Sequence, residues 1–169
     1  MRRIVSNTGP ILHLQEINGL HLLGDAGQVC IPALVEDELR RHLPEWHKNR
    51  PDWLEVAEMT EAELAPLRQW VAGGVVHAGE AAAIALARRL RADWFLTDDT
   101  AARLLARSLS IEVHGSLGVV LWAAAVGHLD REPAAALVSR LASSSLWISP
   151  KILAEAHDAL ANIFQGRDG

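Results

Sequence analysis

The chain has 169 residues, half of them hydrophobic, and a formal net charge of −5. A chain of this length buries one core and usually forms one domain, which we place at residues 1–165, with a frayed tail at 166–169. The acidic balance argues against a non-specific coat on nucleic acid, because such binding depends on neutralising phosphates. The single cysteine, Cys30, excludes an internal disulfide and is expected in a buried strand. No apolar run reaches the roughly 18 residues that cross a bilayer, so we expect a soluble cytoplasmic protein.

The first half of the chain predicts two units, each a strand followed by a helix. Residues 3–6 form a strand that ends in the turn-forming sequence NTGP, and a helix with a periodic apolar face follows. Residues 28–31 form the second strand, and Pro32 suits the opening turn of a helix at 33–43. The inward side of this helix is predicted to carry Leu34, Val35, Glu38 and Leu39. Its solvent side is predicted to carry Glu36, Asp37, Arg40 and Arg41.

The second half continues this alternation. Residues 52–59 predict an edge strand, and residues 61–74 predict a helix that ends at a glycine pair. A helix at 79–90 precedes the short strand WFLT at 94–97, and residues 111–114 give a fourth core strand. Further helices are predicted from Ser116, as a cap, to Gly127, at 132–142 and at 152–164, with a short extended piece at 146–150. Trp122 and Trp147 are expected to be buried.

Strands that alternate with helices predict a three-layer α/β/α sandwich with a mostly parallel central sheet. Ligands bind such sheets at the carboxyl ends of the strands. Asn7 follows the first strand, Glu38 lies in the helix after the second, and Glu80 begins the helix at 79–90. Asp98 and Asp99 directly follow the strand WFLT. Four separate segments therefore bring oxygen-bearing side chains to one edge of the sheet.

Acidic side chains that meet at one edge repel each other unless a cation lies between them. We therefore predict a site for Mg²⁺ or Mn²⁺, which prefer hard oxygen ligands. Each residue also has a purely structural interpretation. Glu80 would complement the helix macrodipole, the Asp98 and Asp99 pair would cap the next helix, and Glu38 would lie on a solvated helix face.

The order of these segments resembles that of the PIN-domain nucleases, in particular small prokaryotic PIN proteins that begin with a strand and the motif (N/D)-(T/S)-x-P. The matching segments are IVSNTGPILHL at 4–14, IPALVEDEL at 31–39, GEAAAIALA at 79–87, LTDDTAARLLA at 96–106 and VHGSLGVVLWAAAVGHL at 113–129. Each segment by itself is weak evidence for the family, whereas five segments in the right order are a specific signal. The resemblance implies a metal-dependent ribonuclease fold in a family with many toxins of toxin–antitoxin pairs.

The resemblance assigns the family's acidic positions to Glu38, Glu80 and Asp99, with Asp98 beside them as the alternative to Asp99. We expect these carboxylates to hold the metal directly or through water. The family's first acidic position is Asn7 here, and an amide oxygen brings no charge, so Asn7 is at most a weak metal ligand. The subgroup with Asn at this position either works with fewer charges or has lost activity.

Further residues are expected around this site. Thr8 and Thr97 are placed to orient the metal ligands. Arg103 lies one turn into the helix after Asp99 and is predicted to reach a substrate phosphate, unless it forms an ordinary surface salt bridge. Arg88 and Arg91 are less direct candidates for the same phosphate contact. His77 and His114 are candidates for contact with the substrate.

The sequence thus predicts a divalent-metal-dependent endoribonuclease, toxin-like, with an RNA substrate and an antitoxin protein as partners. The alternative is a catalytically weak PIN-like module that binds RNA or a protein without cleavage, and Asn7 motivates it. A small-molecule α/β enzyme is disfavoured because no cofactor motif occurs. The apolar helices also suggest an isologous homodimer.

Overall fold

Five strands form the centre of the fold. The computed structural model describes the backbone of residues 1–168 and the side chains of residues 1–167. The strands are β1 (Arg3–Ser6), β2 (Gln28–Pro32), β3 (Leu54–Ala57), β4 (Trp94–Leu96) and β5 (Val113–His114). They form one sheet in the order β3-β2-β1-β4-β5, and every pair is parallel. The predicted fold class is confirmed, with β3 at an edge as expected.

Helices cover the sheet and complete the sandwich. Those of the first half are α1 (Thr8–Glu16), α2 (His21–Ala26), α3 (Ala33–His42) and α4 (Trp46–Asn49). Those of the middle are α5 (Glu61–Leu64), α6 (Arg68–Ala72) and α7 (Ala78–Leu90). Those of the last part are α8 (Thr100–Ser108), α9 (Ser116–Ala125), α10 (Arg131–Ala142) and α11 (Pro150–Asp168). No helix within the described residues is long and apolar enough to span a membrane.

The central strands are buried because helices pack on both faces. Ile4 and Val5 of β1 and Phe95 of β4 are at most 1% exposed, as expected for a parallel sheet whose strands are continuous apolar runs. α7 is rich in alanine, and its small side chains pack closely against β1 and β2. Cys30 lies in β2 and is partly buried, and this burial raises the pKa of its thiol.

The strand register places the predicted site residues at one edge. Ser6 of β1 lies beside Leu96 of β4, which in turn lies beside His114 of β5. The ladder extends one residue further, because the Asn7 N–H donates to the Leu96 carbonyl at 2.9 Å and the Thr97 N–H donates to the His114 carbonyl at 3.0 Å. The chain therefore leaves β1 and β4 at the same level of the sheet.

Two helix predictions need correction. Residues 61–74 form three short pieces instead of one helix, because Pro66 lies in a 3₁₀ turn (Ala65–Leu67) between α5 and α6 and lacks the N–H that a continuous helix requires. Ser116 does not cap α9. Gly115 occupies the cap position, and the Ser116 hydroxyl instead donates to Asp98.

The last helix is longer than predicted. It is expected at 152–164, whereas α11 runs from Pro150 to Asp168. An Arg167 guanidinium nitrogen donates to the carbonyls of Ala124 and Leu129 at 3.1 and 3.0 Å, which ties the last turn to the end of α9 and the loop after it. Gly169 lies outside the described residues.

Helix α3 is rotated relative to its prediction. Glu36, expected in solvent, is only 4% exposed, whereas Leu34, expected to face the core, is 39% exposed. Glu36 is buried because it accepts hydrogen bonds from the Trp46 indole at 2.8 Å and from the guanidinium groups of Arg50 and Arg40 at 2.9 and 3.2 Å. We refer to these four residues as the Glu36 cluster.

Candidate functional site

A cavity of about 610 Å³ opens at the carboxyl edge of the sheet. It lies where α1, α3, α7 and the segment after β4 meet. Six of the predicted site residues line it, namely Asn7, Thr8, Glu38, Glu80, Asp98 and Asp99. The structure thus brings together the four segments that the sequence assigned to this edge. We refer to this space as the carboxylate cavity.

Glu38 reaches the carboxylate cavity from α3 and is held by its neighbour on α1. The Thr8 hydroxyl donates to Oε2 of Glu38 at 2.5 Å. The side chain packs against the first turn of α7, where a Cβ on Gly79 would overlap Oε1 of Glu38. A glycine at position 79 is therefore required for the carboxylate to lie here.

Glu80 lies in the first turn of α7 and also helps to cap this helix. Its Oε2 accepts a hydrogen bond from the backbone N–H of His77 at 2.8 Å, as in a capping box. Burial raises the pKa of Glu80, the charges of Asp99 and Glu38 raise it further, and the hydrogen bond and charge of His77 oppose this. These charge effects indicate that Asp99 and Glu38 each lie close enough to Glu80 to disfavour its ionised form.

Asp99 caps helix α8. Its Oδ2 accepts a hydrogen bond from the N–H of Ala102 at 2.8 Å, and its own N–H donates to the buried Thr97 hydroxyl at 3.2 Å. The side chain is otherwise exposed to solvent in the carboxylate cavity. The structural and functional interpretations of this residue are therefore compatible, because capping uses one oxygen only.

Asp98 differs from its sequence neighbour. Its Oδ2 lies 2.7 Å from Nδ1 of His13 and accepts from the Ser116 hydroxyl at 2.5 Å, and its Oδ1 accepts from the Ser116 N–H at 2.7 Å. Burial by itself raises the pKa of Asp98, but the hydrogen bonds from His13 and Ser116 outweigh it and hold the pKa below its ordinary value. Asp98 therefore joins α1 to the start of α9. Neither partner was predicted, and no sequence spacing links His13 to Asp98.

Asn7 is 6% exposed, and both of its polar atoms have partners. Its Oδ1 accepts from the Thr8 N–H at 2.9 Å, which caps α1, and its Nδ2 donates to the Thr97 hydroxyl at 3.3 Å. Since Thr97 also accepts from the Asp99 N–H, a chain of contacts runs from Asn7 to Asp99. Thr8 and Thr97 both contact predicted site residues, and their orienting roles stay a prediction.

The three remaining carboxylates share a bonding pattern. Glu38, Glu80 and Asp99 each have one oxygen in a hydrogen bond from a nearby residue, and the other oxygen makes none among the described residues. Within this part of the chain, none of the three forms an ion pair, and no three acidic, histidine or cysteine side chains form a ready-made metal cluster. Free carboxylate oxygens suit Mg²⁺ or Mn²⁺, because Mg²⁺ usually takes one or two carboxylates and completes its shell with water and phosphate. The chemistry of these oxygen donors therefore suits such an ion.

The arginine and histidine residues predicted to contact the substrate do not all lie at the carboxylate cavity. His77 lines the carboxylate cavity, whereas Arg103 lines a second, adjacent cavity of about 380 Å³. His114 pairs with Glu112 at 2.8 Å, away from the carboxylate cavity. Arg88 and Arg91 lie at the opposite end of α7 from Glu80.

Several residues that line the carboxylate cavity were not assigned to it from the sequence, among them Arg41, His42 and Trp147. Arg41 and His42 come from the last turn of α3 and are exposed at the cavity rim. Trp147 was expected to be buried but is 81% exposed. A helix-period count places Arg41 and His42 one turn beyond Glu38, and this spacing was the available signal for them.

The all-parallel sheet places the chain among α/β proteins, a class in which ligands bind at the carboxyl edge of the sheet. Within this class, the family model "DUF3368: PIN domain" matches residues 3–162, and the chain belongs to the PIN-domain family. Comparisons with curated proteins and with solved structures found no match. PIN domains are typically nucleases, which are hydrolases that use divalent metal ions and act on nucleic acid. The predicted family is confirmed, and the subgroup with the N-terminal motif stays a prediction.

Proposed function

We propose that the protein is a divalent-metal-dependent endoribonuclease that hydrolyses RNA phosphodiester bonds. The observation that carries the proposal is the arrangement of Glu38, Glu80 and Asp99 around one cavity, where none of the three forms an ion pair with a described residue. Carboxylates grouped in this way destabilise one another unless a cation joins them. An RNA phosphate is the ligand that a metal at this position would recruit.

The chain's own residues have separable tasks in this proposal. Glu38, Glu80 and Asp99 would hold Mg²⁺ or Mn²⁺ directly or through water, with Asn7 as a weak ligand. The bound ion would supply an activated water for attack on phosphorus and would stabilise the leaving oxygen. Thr8 fixes Glu38, and Thr97 fixes the backbone at Asp99, so both carboxylates keep their positions when substrate enters.

The rim of the carboxylate cavity suits a polyanion. Arg41, His42 and His77 line it and are exposed. Their positive or protonatable groups would attract RNA toward carboxylates that repel it without a metal. The −5 net charge of the chain makes this local arrangement necessary for RNA binding.

The test is cleavage of a labelled single-stranded RNA with and without Mg²⁺ or Mn²⁺. We expect cleavage that requires the metal, stops on addition of EDTA and is lost in Glu80→Gln and in Asp99→Asn. Glu132→Gln is the matched control, because Glu132 also lies in the first turn of a helix, α10, but outside the cavity. Cleavage that survives both site changes would rule the proposal out.

The second candidate is a PIN-like module that binds RNA or a protein without cutting. Asn7 favours it, because the amide brings no charge and both of its polar atoms are already hydrogen-bonded. Calorimetry with Mn²⁺ separates the two proposals. Metal binding that disappears in Glu80→Gln supports the nuclease, and no binding heat at millimolar Mn²⁺ supports the module.

The biological role follows from family resemblance. We propose a cytoplasmic, toxin-like protein that a small antitoxin protein holds inactive and that forms a homodimer through apolar helix surfaces. Growth arrest on expression, relieved by the product of a small neighbouring reading frame, tests the first part. Small-angle scattering tests the second, and a monomer mass at micromolar concentration would exclude the stable dimer.

A further inference from the structure

Trp147 is the most exposed aromatic side chain among the described residues, at 81%. It lies between α10 and α11 and lines both the carboxylate cavity and the second cavity that contains Arg103. The two cavities also share Asp98 and Leu146, so they are adjoining parts of one surface. A large indole left in water at this junction contributes nothing to the core.

The backbone that carries Trp147 is well anchored. The Ser145 N–H donates to the Glu16 carboxylate at 2.9 Å, and the Leu146 N–H donates to the Ser144 hydroxyl at 3.1 Å. Leu146 and Ile148, on either side of Trp147, pack against the hydrophobic core. The indole is therefore presented from a fixed segment, which lowers the entropy cost of binding a ligand on it.

Arg103 faces the second cavity and has no hydrogen-bond or ion-pair partner for its guanidinium among the described residues. Its Nε is buried without a hydrogen bond, and its guanidinium forms no ion pair among the described residues. Asp98 also flanks Gly115, but its oxygens are engaged by His13 and Ser116. A buried donor on a charged group is costly unless a ligand or water satisfies it, and a phosphate oxygen suits a guanidinium well.

We propose that Trp147 and Arg103 form a nucleotide subsite for single-stranded RNA beside the carboxylate cavity. An unpaired base stacks on the Trp147 indole, and an adjacent phosphate pairs with Arg103. An exposed aromatic ring beside an arginine is the arrangement by which proteins bind single strands without reading their sequence. This inference rests on the proposed nuclease function, because the neighbouring phosphate would then lie at the carboxylates.

An apolar ring and its neighbours would also suit a protein partner. RNA is favoured because the subsite is continuous with the carboxylate cavity and because the Arg103 guanidinium forms no ion pair within the part of the chain that the structure describes. A base-stacking site also discriminates against duplex RNA, whose bases are not free to leave the helix. This discrimination makes the proposal testable without cleavage.

The experiment measures the Kd of a short labelled single-stranded RNA in EDTA, so that no cleavage occurs. We expect Trp147→Ala to weaken binding about 5- to 150-fold, the range for loss of one base stack, and Trp147→Phe to retain most of it. Arg103→Ala should weaken binding and reduce the slope of log Kd against log salt by about one phosphate contact. The controls are Arg107→Ala and Leu104→Ala, exposed positions on α8 that line neither cavity.

An abasic scan of the RNA identifies stacking directly. One abasic position should weaken binding to the wild-type protein and have no further effect on Trp147→Ala. Duplex RNA should show no dependence on Trp147. A Kd for single-stranded RNA that Trp147→Ala and Arg103→Ala leave unchanged overturns the subsite, and an altered sedimentation of Trp147→Ala with an unchanged Kd would assign the surface to a protein contact.

The two proposals fail in different ways. If Glu80→Gln abolishes metal-dependent cleavage while Trp147→Ala changes neither Kd nor KM, the nuclease stands and the subsite falls. If the wild-type protein never cleaves but binds single-stranded RNA through Trp147, the subsite stands and the nuclease falls. A wild-type protein that binds no single-stranded RNA overturns the subsite as well.

Discussion

Glu36 and Glu38 lie on the same helix, α3, but in opposite surroundings. Glu36 belongs to the Glu36 cluster, and Glu38 lines the carboxylate cavity. Glu36 is 4% exposed and is neutralised by Arg40 and Arg50, with a further hydrogen bond from Trp46. Glu38, two residues later, has one hydroxyl partner and no ion pair among the described residues, and other carboxylates line the same cavity. The difference separates carboxylates that hold the fold from carboxylates that are available to a ligand.

The physical reason is the cost of an unpaired charge. A buried carboxylate is tolerated when cations and hydrogen bonds replace its water. Carboxylates that are grouped and left without cations lower stability, so they persist where a function requires them. We therefore expect substitutions in the two regions to separate activity from stability.

The largest effect is expected for Glu80→Gln. Loss of one group that stabilises charge in a transition state costs about 100- to 1000-fold in rate, or about 3–4 kcal/mol, and we expect this loss in RNA cleavage. Burial and neighbouring charges raise the pKa of Glu80, so its ionised form destabilises the fold at neutral pH. The thermal midpoint of Glu80→Gln should therefore equal or exceed that of the wild type. A lower midpoint would show that Glu80 serves the fold, as Glu36 does.

The converse effect is expected for Glu36→Ala. Removal of one partner from a buried ion pair leaves unpaired groups and costs about 3 kcal/mol, since Arg40, Arg50 and Trp46 all lose their acceptor. Urea denaturation should show this loss in the free energy of unfolding. Cleavage per folded molecule should stay at the wild-type level, and a selective loss of activity would end the distinction between the two regions.

Asp98 combines features of both regions. It lines the carboxylate cavity, but its two oxygens are hydrogen-bonded to other side-chain and backbone groups, as those of Glu36 are. Asp98→Asn should remove the acceptor that faces His13 and cost about 2 kcal/mol of stability, measured by urea denaturation. Asp99→Asn, one residue away, should cost less stability and more activity. Equal stability losses in the two variants would show that both aspartates are structural.

Much of the fold was predictable because local sequence patterns indicate its strands and turns. The apolar runs around Val5 and Phe95 identified the core strands, and Gly73 with Gly74 marked the end of the segment at 61–74. Parallel connectivity then gave the shared edge, which brought Asn7, Glu38, Glu80 and Asp99 together as expected. These inferences needed only spacing and the rule for α/β sheets.

The remaining features depend on contacts distant in the sequence. The burial of Glu36 depends on Trp46 and Arg50, which come from the irregular segment after α3. The pairing of His13 with Asp98 spans 85 positions, and no periodicity encodes it. Trp147 was expected in the core because apolar residues surround it, yet both neighbours point into the core and leave the indole outside.

The smallest effect, and the sharpest test of the comparison, is expected for Asn7→Asp. A carboxylate here would join Glu38, Glu80 and Asp99 as a fourth candidate ligand with a charge and should strengthen Mn²⁺ binding by up to about tenfold, or about 1.4 kcal/mol. The same change removes the Nδ2 donor to Thr97 and adds repulsion, so the metal-free protein should lose a similar amount of stability. Calorimetry with Mn²⁺ measures the change in metal affinity, and denaturation in EDTA measures the change in stability of the metal-free protein. Asn7→Ala is the control that removes the Nδ2 donor without adding charge. If Asn7→Asp gains no affinity over Asn7→Ala, position 7 serves the cap of α1 and its contact with Thr97, and the metal depends on Glu38, Glu80 and Asp99 alone.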